Sequence, residues 1–150
     1  MGIPIKYGLT ITAGVAVWII VAHRLVPNPQ SKIHSLGAIV FFNLLQFGAT
    51  YFGIRARERV TGQKPIFKEA LKVGVSISFV YAISSSLFFL AVVLFFGTSL
   101  MGGEPGAGTL PQWLVLVQAF TGLFLGSMLF GLVYSTLISF VLAKRLSESA

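Results

Sequence analysis

Residues Arg55–Lys72 read RARERVTGQKPIFKEALK and hold Arg55, Arg57, Arg59, Lys64, Lys68 and Lys72, six of the 11 Lys and Arg in the chain. Long apolar runs lie on both sides of this stretch. In a chain that crosses a membrane, short connections rich in Lys and Arg stay on the cytoplasmic side. Once this segment is placed, the rest of the topology follows from it.

The composition puts the chain in a membrane. It has 150 residues, the length of one domain. Charged residues make up only 10% and hydrophobic ones 55%, whereas a soluble domain carries about 25% charged residues. The net charge of +7 would suggest nucleic acid in a soluble protein. Here the basic residues cluster between apolar runs, so topology and attraction to anionic headgroups account for them, and no nucleic-acid partner is expected. Cysteine is absent, which excludes disulfides and thiolate metal sites. The acids are Glu58, Glu69, Glu104 and Glu148, with no Asp.

Working outward from the basic stretch gives four apolar spans. Upstream, Leu36–Ile54 is long enough, at about 29 Å, to match a hydrocarbon core of about 30 Å. Before it, Pro27 and Pro29 end a first helix at about 6–26, since proline disfavours helix in the residue before it. A signal peptide competes for this first run, but no small-x-small cleavage site follows. The MG start lacks the Ser or Thr of a myristoylation signal. Downstream, Thr61-Gly62-Gln63 reads as a turn and Pro65 as the first turn of a third helix, with its span at about 70–96. The connection Gly97–Gln112 is glycine-rich and carries no basic residue, and Thr109-x-x-Gln112 has the spacing of a capping box. A fourth helix follows at about 111–143, which Lys144 and Arg145 are expected to end. It is longer than the hydrocarbon core and must tilt, bend or protrude.

The basic residues orient these spans. Lys6, the six of the central stretch, and Lys144 with Arg145 place nine on one side, against Arg24 and Lys32 on the other. Both termini and the central stretch are therefore expected in the cytoplasm. The fold expected is an all-α, four-span bundle with an N-in/C-in topology. Arg55, Arg57, Arg59 and Lys64 are the candidate headgroup contacts, and Trp113 and Tyr7 the aromatic anchors near opposite surfaces.

Small and polar residues recur at helical spacing. Ser127, Gly131, Ser135 and Ser139 lie four apart on the fourth helix, just after the GxxxG pair Gly122 and Gly126. Gly74, Ser78, Ala82 and Ser86 repeat the pattern on the third. Four-residue spacing lines up one flank of a helix, and small side chains let two backbones approach closely. Either the third and fourth helices touch along these seams, or one seam faces another protein. On the second helix Asn43, Gln46, Thr50 and Gly53 share a face. An amide in lipid is costly unless paired, so this face should point inward, for interhelical hydrogen bonds or for a ligand. Gln118 and Thr121 extend the polar patch on the fourth helix. Serines such as Ser76, Ser84 and Ser85 usually bond back to their own helix carbonyls.

Within the apolar runs 7–22, 36–54, 73–96 and 113–143 there is no Asp, Glu, Lys, Arg or His. Ion-coupled transport normally needs ionisable groups within the membrane, and hydrolysis needs an activated nucleophile or a metal. His23 and His34 flank the first connection, with no carboxylate or third ligand near them in sequence, so no metal site is assigned.

The two stretches YFGIRARERVTG (51–62) and IFKEALKVGVSIS (66–78) also carry a likeness. With the Phe-x-x-Ala-x-x-x-Gly pattern at Phe67, Ala70 and Gly74, the chain from Thr50 to Leu90 resembles a bacterial four-span membrane family catalogued as a domain of unknown function. The resemblance implies four spans and two cytoplasmic ends, and it implies no activity. The Gly97–Gln112 connection is shorter than is usual in that family.

Taken together, these features lead us to expect a non-catalytic protein of the bacterial inner membrane. It would serve as an accessory or scaffold subunit in a larger assembly, such as a respiratory or photosynthetic complex. A carrier or binding protein for a neutral or lipophilic molecule (lipid, quinone or pigment), using Asn43, Gln46 and Thr50, is the alternative. No cofactor is required by the first reading; a pigment or quinone would belong to the second.

Overall fold

The computed structural model describes residues 2–25, 32–63, 66–96 and 111–147. Within them the chain forms four helices: α1 (Ile3–Leu25), α2 (Lys32–Thr61), α3 (Phe67–Phe96) and α4 (Gln112–Ser147). Each is long and apolar enough to cross a membrane. With 30 residues in α2 and 36 in α4, these helices measure about 45 and 54 Å, and both overrun a 30 Å core.

The overrun corrects two sequence expectations. The basic stretch 55–61 is not a connection after Ile54 but the last two turns of α2. Arginine is a good helix former, so nothing there breaks the helix before glycine is reached. Gly62 takes a left-handed conformation at φ 65°, which costs glycine nothing and stops the helix. Its N–H donates to the Glu58 carbonyl at 2.9 Å, and the Thr61 hydroxyl donates to the Arg57 carbonyl at 2.9 Å. Carbonyls orphaned by the helix end are thereby satisfied. Likewise α4 does not end at Lys144 and Arg145 but runs to Ser147, since basic residues suit the negative end of a helix dipole. At its start the Pro111 carbonyl accepts from Leu114 and Val115 at 2.9 and 3.3 Å. The capping residue Thr109, like Lys64, Pro65, Glu104, Glu148 and the rest of the 97–110 connection, lies outside the described residues.

Helix α3 is the hub. Like α2 it packs against all three other helices, and its contact with α4 is the most extensive of all; among the described residues α1 and α4 do not touch each other. It is also the most enclosed, with 39% of its apolar window buried against 11% for α1. Glycines set the closest approaches. A Cβ added at Gly8 of α1 would come within 2.6 Å of Val80, and one at Gly53 of α2 would overlap Ile77. The core cluster gathers Ile11, Ile54, Ala70, Ile77 and Ile138 from all four helices. On the α1–α2 side, Trp18 stacks on Phe41 at 4.8 Å and meets Phe42 edge-on. The outside is as greasy as the inside: Leu44, Phe95 and Leu129 are 67, 85 and 64% exposed. Helices apolar all round are what a lipid surround accommodates.

Candidate functional site

The two small-residue series meet each other. Gly74 lies against Ser135, whose Oγ would be 2.6 Å from an added Cβ. One turn further on, Gly131 lies against Ser78, where an added Cβ would overlap the serine side chain. Each step of four forward on α3 matches a step of four back on α4, as antiparallel neighbours require. Continued by four residues in each direction, the same register would set Ala70 opposite Ser139 and Ala82 opposite Ser127. Gly74, Ser78, Ala82, Ser86, Gly131, Ser135 and Ser139 are all buried, and Ser127 is half-buried. Without large side chains in between, dispersion contacts between backbones hold such a seam together.

The Gly122–Gly126 pair takes no part in it. Gly122 is exposed and Gly126 half-buried, and among the described residues no atom of another helix lies within 4 Å of a Cβ added at either glycine. Gln118 and Thr121 are exposed as well. They do not extend the inward polar patch, as their sequence positions suggested. Helix periodicity puts Gln118, Thr121, Gly122, Leu125, Gly126 and Leu129 on one outward face of α4.

The polar face of α2 points inward. Gln46 and Thr50 are buried and Asn43 is half-buried. Gln46 donates from Nε2 to the Ser127 carbonyl at 3.1 Å, tying α2 to α4 where Gly131 and Ser78 meet. Asn43 donates from Nδ2 to the Ile39 carbonyl at 2.6 Å, and its Oδ1 accepts from the Tyr134 hydroxyl. Sequence reasoning missed Tyr134, although a tyrosine in mid-span has a polar tip that needs a partner. It also missed the pair Thr12–Ser84, whose hydroxyls lie 2.6 Å apart across α1 and α3. Ser76, Ser78 and Ser84 bond back to carbonyls four residues earlier. The hydroxyls of Thr50, Ser86, Ser135 and Ser139 are buried with no hydrogen-bond partner among the described residues.

Two cavities lie at the basic end of α2. One, of about 300 Å³, is an apolar groove between α2 and α4 lined by Phe47, Tyr51, Leu137, Ile138, Val141 and Leu142. The other, of about 610 Å³, is a depression open to the surface along the end of α2, lined by Tyr51, Phe52, Arg55, Glu58, Arg59 and Gly62. Arg55 donates to Glu58 at 2.7 Å, and that ion pair is partly exposed. Arg57 and Arg59 are exposed, and Arg57 lines neither cavity. Lys6 lies over the Tyr7 ring at 5.8 Å, and Tyr7 also packs beside Gly53, so it belongs to the core margin as well as the surface. Trp113 is exposed at the start of α4.

Among the described residues no group of three His, Asp or Glu is placed to hold a metal. The imidazoles of His23 and His34 are outside the described side chains. No family model, curated protein or solved structure matches the chain. The likeness of Thr50–Leu90 to a four-span family therefore rests on the quoted motifs alone.

Proposed function

We propose that this protein is a non-catalytic, multi-pass protein of the bacterial inner membrane that works as an accessory subunit, binding another membrane protein through α4. Its central basic hinge and both termini face the cytoplasm, as the distribution of Lys and Arg favours. The observation that carries the proposal is the outward face of α4. Five other glycines sit where a neighbouring side chain leaves no room for a Cβ: Gly8, Gly14, Gly53, Gly74 and Gly131. Gly122 and Gly126 have the spacing used for close helix approach and, among the described residues, nothing opposite them. The exposed amide of Gln118 adds a second reason. In hydrocarbon an amide without a partner is costly, and a partner helix supplies one.

The test is extraction in a gentle detergent followed by native mass spectrometry. The wild-type chain should come out in a stoichiometric complex, and the double variant Gly122→Leu/Gly126→Leu should come out alone with its fold intact. A lone wild-type monomer under all conditions would overturn the proposal.

Transport of a neutral ligand along Asn43, Gln46 and Thr50 is less well supported. Gln46 and Asn43 are engaged in interhelical bonds, and neither cavity is lined by any of the three.

A further inference from the structure

The apolar groove and the basic cavity share a wall, Tyr51. Along α2 the lining runs from Phe47 through Tyr51 to Arg55 and Arg59. Phe47 lies eight residues before Arg55, or about 12 Å along the helix axis. One leaflet of hydrocarbon is about 15 Å deep. A groove for an acyl chain therefore ends at the depth where the headgroup region begins, and there it opens onto two arginines. The other wall of the groove is the last apolar turns of α4, just before exposed Lys144.

We infer that these two cavities form one binding site for an anionic phospholipid, its acyl chain in the α2–α4 groove and its phosphate against Arg55 and Arg59. Guanidinium groups bind phosphate oxygens with two parallel hydrogen bonds, a geometry a lysine cannot match. Glu58 offsets one of the two arginines, leaving one net positive charge in the cavity, which matches a headgroup with one net negative charge. Arg57 belongs to the general basic surface and not to the site. The site is separate from the Gln118–Gly126 face of α4, so loss of one leaves the other standing.

The full chain in neutral detergent is titrated with phosphatidylglycerol and, separately, with phosphatidylcholine of the same chain length, and bound lipid is counted by native mass spectrometry. Phosphatidylglycerol should bind more tightly. Arg59→Gln should weaken it about tenfold or more, the effect of losing a charge-assisted hydrogen bond to the phosphate, and Arg57→Gln should leave it unchanged. Glu58→Gln should tighten it. Val141→Trp, which fills the groove, should weaken both lipids. Inorganic phosphate should not compete, because it has no chain to place in the groove. Equal binding of the two lipids overturns the proposal. Equal weakening by Arg57→Gln and Arg59→Gln does so too, since it would mark diffuse surface attraction, as would full competition by inorganic phosphate.

Discussion

Replacing Gly131 with Ala inserts one methyl group where α2, α3 and α4 meet. The added Cβ would overlap both the Oγ and the Cβ of Ser78 and lie 3.0 Å from the Gln46 amide nitrogen. Rotating the serine gives no relief, because its Cβ is fixed to the α3 backbone and its Oγ is held at 3.0 Å by the Gly74 carbonyl. The helices must separate by about 1 Å to restore ordinary contact distances. Overpacking of this kind costs about 1–3 kcal/mol. Loosening the Gln46–Ser127 bond adds about 0.6 kcal/mol, the average for an interhelical hydrogen bond. The better helix propensity of alanine returns at most about 1 kcal/mol. The net expectation is a loss of about 1–3 kcal/mol, read from reversible unfolding in mixed micelles. Gly126→Ala is the matched control: with open space at that Cβ, it should be neutral or stabilising by up to about 1 kcal/mol. Adding Ser78→Gly to Gly131→Ala should recover part of the loss, with a coupling within the range of about 0.5–3 kcal/mol seen for touching residues. Wild-type stability for Gly131→Ala, or an equal loss for Gly126→Ala, would refute the α3–α4 register.

Tyr134→Phe leaves the Asn43 Oδ1 without its partner and should cost about 1–3 kcal/mol in the same assay; adding Asn43→Leu should recover most of that. Gln46→Leu removes a single interhelical bond and should cost only about 0.6 kcal/mol, so a collapse of the fold would show that the amide holds more than the Ser127 carbonyl. Gly62→Ala forces a Cβ into the left-handed region at about 1–2 kcal/mol. Its effect should be local, seen as faster amide exchange at Glu58–Thr61 with the seam unchanged.

Much of the fold was legible because lipid leaves the backbone few choices. Without water to satisfy N–H and C=O groups, an apolar run of 20 residues has to be helix. The small-residue series on α3 and α4 was equally visible, since a four-residue period survives in any helical setting. Which series would meet which was not visible. GxxxG at Gly122 and Gly126 reads in sequence much like Gly74 and Ser78, and only the antiparallel register separates a filled seam from an open one. Helix ends were legible where chemistry stops a helix, as at Gly62. They were not where basic residues follow an apolar run, as after Ile54 and Ala143, because lysine and arginine continue a helix readily. The polar bonds of Tyr134 and Ser84 depend on partners more than 70 residues away, which no local pattern encodes. The same holds for the groove at Tyr51, which exists only where α2 and α4 part.

The partner face and the lipid site both depend on four crossings with the basic hinge on the cytoplasmic side. Because the chain has no cysteine, single cysteines report sidedness without background. Gln63→Cys in the hinge and Pro111→Cys before α4 are labelled with a membrane-impermeant maleimide in sealed vesicles of each orientation. The account predicts that Gln63→Cys reacts only in inside-out vesicles and Pro111→Cys only in right-side-out ones. Reaction of both from the same side, or of Gln63→Cys from outside, would contradict it.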